Sequence, residues 1–419
     1  MRKRFDRVYK ECERYGQSHL LKFYDELTPS QQDSLLGQIE NIDFPLMQKL
    51  YAEARREEAE GIHEEGVITP IDVTVLDSVS GATLKQYHAI GIESMKQGQY
   101  AAVTMAGGQG TRLGHDGPKG TFDLGLPNAH SLFSIQAMRL KAKYDELGVY
   151  IPWYIMTSRE NDAATKAFFE ETDFFGYDRD SVMFFTQCML PMLFADTGRI
   201  VLEEKWKIKE GADGHGGIFR AMQLSGVYDD MVARGVKWVF IGGIDNALVR
   251  LCDPVFLGFM HSTGRLIGGK SLIKCSPREK IGVFCRKDGK PYVIEYTEIS
   301  DEMAEAVNED GDYLYGDGHI LVNMFSTQAL SELLGRGLPY HKAFKKAPYV
   351  GDDGEKVIPS SPNAYKFEAF IFDAFGYFDD MSILRISREK EFAPIKNKEG
   401  EDSPDTARAL FLGCGEDIY

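Results

Sequence analysis

Apolar positions such as Leu20, Leu21, Phe23, Tyr24 and Leu27 recur at helix-like intervals among many charges, so residues 1–98 are expected to be helical and peripheral. Thr28-Pro29-Ser30-Gln31 marks a helix start: Thr28 suits the cap, Pro29 the first helical position, and Gln31 the returning bond of a capping box. From Tyr100 the texture changes. YAAVTM is a short apolar run followed at once by AGGQG, which reads as a buried strand ending in a tight loop. A helix is predicted from Ser131 through SLFSIQAMRL, and a strand over residues 151–157. Further strand-like runs occupy residues 181–185, 237–241, 281–285 and 291–296, with helical stretches between several of them. This alternation predicts an α/β fold with a mostly parallel sheet and ligands at the C-terminal ends of its strands. The Gly-, Asp-, Ser- and Pro-rich stretch 349–362 reads as a long loop, and the charged tail after Lys396 as loosely packed. The expected division is a helical region 1–98, an α/β domain 99–390 and a short C-terminal segment 391–419.

Composition narrows the ligand. The 419 residues are 43% hydrophobic, enough for one large domain with appendages. Lys and Arg total 48 against 64 Asp and Glu, a formal charge of -16 that repels polyanions and argues against a nucleic-acid groove. A phosphate ligand would then need a few local cations, backbone N–H groups and a divalent metal. The six cysteines show neither a C-x-x-C pair nor metal-ligand spacing and fit a reducing compartment. The basic start lacks an apolar stretch behind it, and no run of about 18 apolar residues occurs, so a cytoplasmic protein without membrane partners is expected.

The main chemical signal runs from Gly107 to Gly120 in GGQGTRLGHDGPKG. Its glycines let backbone approach a ligand closely. It is no dinucleotide fingerprint, because Leu113 stands where G-x-G-x-x-G starting at Gly108 needs glycine. Nor is it a Walker A loop, because Lys119 is not preceded by glycine or followed by Ser or Thr. What remains is a loop with Arg112 as a planar fork and Lys119 as a point charge, a pair suited to a polyphosphate. A turn with both cations solvated is the competing reading. Asp245, after the apolar run 236–241, should sit at a strand end; helix N-capping before Ala247 is its alternative role.

The segment AGGQGTRLGHDGPKGTFDLGLP resembles the signature of the eukaryotic-type UDP-N-acetylglucosamine pyrophosphorylases, within the UTP:sugar-1-phosphate uridylyltransferases. The resemblance continues in order through IPWYIMTS, FFTQCMLP, GRIVLEEK, DGHGGIFRA, IDNALV, VIEYTEIS, KFEAFIFDAF and EFAPIKN to DSPDTAR, nearly the whole chain. It implies a Rossmann-like, glycosyltransferase-A-like nucleotidyltransferase core that joins UTP to a sugar 1-phosphate and releases pyrophosphate, with Mg²⁺ as cofactor. By the same resemblance Gly107 and Gly108 face uracil and Gln187 reads its edge. Gly214 lies beside the base, Arg112, Lys119 and Lys396 hold the phosphates, and Asp245 binds Mg²⁺ or the ribose. Attack on the α-phosphorus puts charge on the bridging oxygen and the departing pyrophosphate, which fixed cations stabilise. The attacking phosphate is already ionised, so no general base is required.

For the sugar, the resemblance assigns Glu295 and Tyr296 to hydroxyls and Gly282, Phe370 and Phe372 to the pocket walls. Both phenylalanines are equally compatible with plain core. Two positions depart from the family: His215 stands where asparagine is typical, with the G-H-G of UDP-glucose pyrophosphorylases, and GDGH at residues 316–319 replaces N-A-G-N. His215 and His319 therefore bear on the sugar without touching the UTP half. N-acetylglucosamine 1-phosphate is the expected substrate, with glucose or galactose 1-phosphate as the alternative and a silent nucleotide-binding regulator as the non-enzymatic one. The oligomeric state, monomer or weak dimer, is left open.

Overall fold

A computed structural model describes residues 2–60, 66–127 and 129–414 of the chain. They fall into two compact units. One comprises Gly66–Gln187, Ile218–Gly337 and Ile371–Tyr419, the other Met1–Glu65, Cys188–Gly217 and Leu338–Phe370. These units do not follow the expected cuts at residues 98 and 390, because two internal excursions fold with the N-terminal helices.

The larger unit is built on a mixed but mostly parallel sheet. Every residue of Tyr100–Met105 and of Trp238–Gly243 is buried, as strands covered on both faces require. Val182–Thr186, Trp153–Thr157, Tyr100–Met105 and Trp238–Gly243 run parallel in that order. Asp317–Ser326 then lies antiparallel between Trp238–Gly243 and Ile267–Ile273, and Ser382–Arg385 resumes parallel pairing beside Ile267–Ile273. The runs at 281–285 and 291–296 become Val283–Lys287 and Lys290–Ile294, an antiparallel hairpin. Helix Leu132–Leu147 starts as predicted, with Ser131 accepting from the Ser134 N–H in a capping box. Its buried face, including Phe133, Ile135 and Leu140, joins Trp153, Phe240 and Phe256 in the main core.

Two further expectations change. Residues 349–362 hold a small hairpin of Tyr349–Val350 and Lys356–Val357. The tail is packed: helix Pro404–Gly413 places Ala407 and Phe411 in the main core, so periodic apolar residues outweigh the surrounding charge.

The smaller unit packs helices Arg2–Arg14, Pro29–Glu40 and Phe44–Glu60 with short sheets. Thr28 forms the predicted capping box with Gln31. Leu20, Leu21 and Tyr24 are buried, but on short 3-10 turns, Ser18–Leu21 and Tyr24–Glu26, rather than on one helix. No helix among the described residues is long and apolar enough to cross a membrane.

Candidate functional site

The four contiguous parallel strands all end at the same edge of the sheet, and each is followed there by a residue singled out above or by a residue that supports one. After Tyr100–Met105 the chain enters the glycine loop. Gly110 N–H donates to the Gly117 carbonyl at 2.9 Å and Lys119 N–H to the Gly108 carbonyl at 3.0 Å, folding the loop on itself. A side chain at Gly110 would meet His115 at 2.7 Å. His115 Nε2 lies 2.8 Å from Thr121 Oγ1, whose own hydrogen goes to the Pro118 carbonyl, so the ring nitrogen is the donor and staples the loop beside Lys119.

A Cβ at Gly107 would stand 3.1 Å from the Gln187 side-chain oxygen, whereas one at Gly108 would meet nothing within 4 Å. The loop therefore leaves room for the Gln187 amide on one side and an open face on the other. Gln187 follows Val182–Thr186 and is anchored by its N–H to the Thr157 carbonyl at 2.8 Å. Asn161, fully buried after Trp153–Thr157, donates to the Ala106 carbonyl at 2.9 Å and to the Gly108 carbonyl at 3.3 Å. Sequence reasoning missed Asn161; its only signal is an Asn soon after a strand, which marks many turns.

Asp245 follows Trp238–Gly243, with Ile244 N–H donating to the Met105 carbonyl at 3.1 Å. It caps no helix: residues 244–253 form turns and irregular backbone, and the next helix begins at Pro254. Its carboxylate lies 3.8 Å from Lys119 Nζ. Burial pushes the Lys119 ammonium below its ordinary range; Asp245 opposes this, while the charges of Lys396 and Arg112 add to it. Three like charges acting at one point indicate a place shaped for an anion.

Lys396 arrives from the C-terminal segment, and the structure explains how. Ile395 N–H donates to the Asp245 carbonyl at 2.9 Å. Asn246 takes the Ala393 N–H at 2.8 Å and gives its amide hydrogen to the Glu391 carbonyl at 2.7 Å. Lys396 N–H donates to the Asp402 carbonyl at 2.7 Å, and its ammonium is 3.3 Å from the Asp402 carboxylate. Behind this segment the fully buried Lys270 bonds Asp253 at 2.6 Å and also Glu391. Nothing in local sequence links Asn246 or Lys270 to Lys396, since the contacts span 121 or more positions.

A second group gathers round the hairpin. Gly282 precedes Val283–Lys287 and Glu295 follows Lys290–Ile294, so pairing of Val283 with Ile294 brings them to one end. A Cβ at Gly282 would stand 3.0 Å from a Glu295 carboxylate oxygen. His319 N–H donates to the Gly282 carbonyl at 2.8 Å, and its ring is 3.0 Å from the Asn323 side-chain oxygen. Phe284, Phe372 and Phe375 meet that ring edge to face. Burial pushes the imidazole down to about 4, so it is neutral in ordinary buffers. Phe372 is buried, and Tyr296 is exposed.

Gly214, His215 and Phe370 belong to the smaller unit. Gly214 has φ 83°, and a Cβ there would come within 2.2 Å of the Ala369 carbonyl oxygen. Close backbone packing thus demands this glycine. Phe370 stacks on His341 at 4.6 Å and meets His215 at a tilt of 34°, 5.4 Å between centroids. His341 was not singled out by sequence, where a lone His carries no signal.

Among the described residues no group of three or more His, Cys, Asp or Glu is placed to hold a metal ion. Asp245, a single accessible carboxylate beside an anion-favouring cluster, fits a hard cation that takes its remaining ligands from phosphates and water.

Residues 50–406 match the family described as UTP--glucose-1-phosphate uridylyltransferase. The chain is 38% identical over 422 aligned residues to "UDP-N-acetylhexosamine pyrophosphorylase-like protein 1" of Xenopus tropicalis, covering 96% of this chain and 82% of that protein. It is 36% identical to the UDP-N-acetylglucosamine pyrophosphorylase of Saccharomyces cerevisiae, covering 96% and 88%. The solved uridine diphosphate N-acetylglucosamine pyrophosphorylase of Trypanosoma brucei superposes with a TM-score of 0.84 at 29% identity, over 99% of this chain and 85% of that one.

Proposed function

The chain belongs to the UTP--glucose-1-phosphate uridylyltransferase family and is a nucleotidyltransferase; from that footing we propose that it converts UTP and N-acetylglucosamine 1-phosphate into UDP-N-acetylglucosamine and pyrophosphate. The observation that carries this reading is the convergence of Arg112, Lys396 and Asp245 on Lys119 beside the glycine loop.

Gly107 and Gly108 line the uracil, and Gln187 reads its edge with an amide that both donates and accepts. Arg112, Lys119 and Lys396 hold the β- and γ-phosphates. As the sugar phosphate oxygen attacks the α-phosphorus and the bond to the bridging oxygen breaks, both electrons leave with pyrophosphate. The fixed cations favour that charge more in the transition state than in bound UTP. Asp245 would hold a Mg²⁺ ion, which would supply charge screening between the two phosphate groups. On the sugar side Glu295 accepts hydroxyl hydrogens, neutral His319, whose Nε2 donates to the Asn323 side-chain oxygen, keeps Nδ1 as an acceptor, and Gly282, Tyr296 and Phe372 complete the pocket. Free cysteines fit a cytoplasmic setting.

The decisive assay combines the chain with UTP, Mg²⁺ and a panel of sugar 1-phosphates and follows pyrophosphate release. Highest kcat/KM with N-acetylglucosamine 1-phosphate is expected. A preference for glucose 1-phosphate would refute the sugar assignment, and UTP binding without turnover on any sugar would leave only a nucleotide-binding regulator.

A further inference from the structure

The segment that delivers Lys396 turns back on itself at Asp402. Lys396 N–H and Asn397 N–H both donate to the Asp402 carbonyl, at 2.7 and 3.1 Å, and the Asn397 side-chain amide donates to the Glu401 carbonyl at 2.8 Å. These bonds close residues 396–402 into a small return loop. At its far end the loop runs into helix Pro404–Gly413, which starts with a capping box between Ser403 and Thr406. Its middle lies against the glycine loop, where a Cβ at Gly114 would stand 3.7 Å from Lys398 Cε. Backbone bonds thus bring Lys396 to the rim of the glycine loop. They leave its ammonium, at the end of a flexible four-carbon stem, without a fixed position.

Asp402 supplies more than the closure. Its φ is 55°, in the left-handed region that glycine enters freely and a side chain enters at a cost. The carbonyl bonds use no side chain, so glycine would serve them at less cost. What the aspartate adds is a carboxylate 3.3 Å from Lys396 Nζ. The Lys396 side chain is 46% exposed, and Lys396 and Arg112 both act on Lys119 with charge of the same sign. Without an opposing charge the ammonium would turn into water, away from these cations. The Asp402 carboxylate also acts on Lys119, in the same direction as Asp245. Asp245 and Asp402 therefore offset Arg112, Lys119 and Lys396 only in part and leave positive charge for an anion. Both members of the Lys396–Asp402 pair reach water, so the pair is loose enough for the ammonium to pass to a phosphate.

We propose, on the phosphate role given to Lys396 above, that Asp402 is a positioning residue of the transfer reaction: its carboxylate keeps the Lys396 ammonium at the rim of the glycine loop until the phosphates of UTP take it over. Asp402 touches no substrate and acts through Lys396. Its effects on bound UTP and on the transition state are opposite. The carboxylate weakly repels the triphosphate, while the lysine it aligns favours the charge that develops as pyrophosphate leaves. Its removal should lower kcat without raising KM for UTP.

The test follows pyrophosphate release by the full chain with UTP, Mg²⁺ and whichever sugar 1-phosphate turns over fastest, alongside thermal melts. Asp402→Asn keeps a residue that tolerates left-handed backbone and removes only the charge, whereas Asp402→Ala removes the charge and strains the turn. Both should lose about tenfold in kcat with KM for UTP unchanged or lower, and only Asp402→Ala should melt earlier. In a Lys396→Ala background Asp402→Asn should change kcat by less than about twofold, because the group it positions is gone. A purely structural role gives the other pattern, activity following the melt and Asp402→Asn working like wild type. That pattern, or the full loss repeated in the Lys396→Ala background, overturns the positioning role and leaves the phosphate role of Lys396 standing. A near-normal Lys396→Ala, or a wild type that turns over no sugar 1-phosphate, instead removes the role of Lys396 and that of Asp402 with it. If Asp402→Ala fails to fold, Asp402→Asn and the double variant decide.

Discussion

Single side chains at the candidate site differ in what they control. Lys119 is drawn to its place by Asp245 and opposed by Lys396 and Arg112. A cation held against such opposition is suited to charge that appears only during reaction. Lys119→Ala should therefore lower kcat by about 100-fold or more, measured as pyrophosphate release at saturating UTP. Glu295 should act on the other substrate. Glu295→Gln, which removes the charge but keeps the shape, is expected to raise KM for the sugar phosphate about tenfold or more while KM for UTP stays put. Gly214 tests a purely structural demand. With φ at 83° and backbone oxygen 2.2 Å from the missing Cβ, Gly214→Ala should unfold more readily by at least about 2 kcal/mol, read from denaturant melts. An unchanged melt would mean that the Ala369 backbone yields freely.

At the scale of elements, strands with unbroken apolar runs were legible, and those with polar interiors were not. Tyr100–Met105 and Trp153–Thr157 read correctly because burial on both faces leaves apolar runs interrupted only by Thr104 and Thr157. Ile267–Ile273 escaped notice because it carries a glycine pair and Lys270 in a fully buried position. That lysine is tolerable only through Asp253 and Glu391, distant partners that no local pattern reveals. The triad ties Ile267–Ile273 to the segment leading to Lys396. Lys270→Met leaves two buried carboxylates facing each other and should cost about 3–5 kcal/mol. Its pH dependence has a definite sign. Burial alone would lower Lys270, but its two carboxylates raise it above 10.5, so its contribution is present below that pH and lost above. Burial alone would raise Asp253, but Lys270 pulls it below 3.8, so its contribution is present above that pH and lost in acid. The difference in urea midpoint between wild type and Lys270→Met should thus be flat from about pH 6 to 9 and shrink in acid. A difference that grows in acid would contradict this account.

For the molecule as a whole, the sequence blocks were read in order along the chain, but the two units interleave. Residues 188–217 and 338–370 leave the larger unit's run of sequence and fold with the N-terminal helices, which a left-to-right division has no means of detecting. The tail shows the same blindness in reverse. Its charge pointed to a loose end, yet Pro404–Gly413 is fastened on two sides. Arg408 donates to the Leu124 carbonyl at 2.7 Å, just beyond the glycine loop, and Phe411, 6% exposed, joins the main core with Leu132 and Phe392. The tail is thus part of the body that carries Lys396. Phe411→Ala should destabilise that body by about 3–5 kcal/mol, the usual cost of emptying a buried aromatic site. Leu412, its neighbour, is 58% exposed, and Leu412→Ala should stay within about 0.5 kcal/mol of wild type. Thermal melts of the pair distinguish the two views of the tail. Equal melts would make it a dispensable appendage, whereas loss confined to Phe411→Ala makes it the closing element of the larger unit.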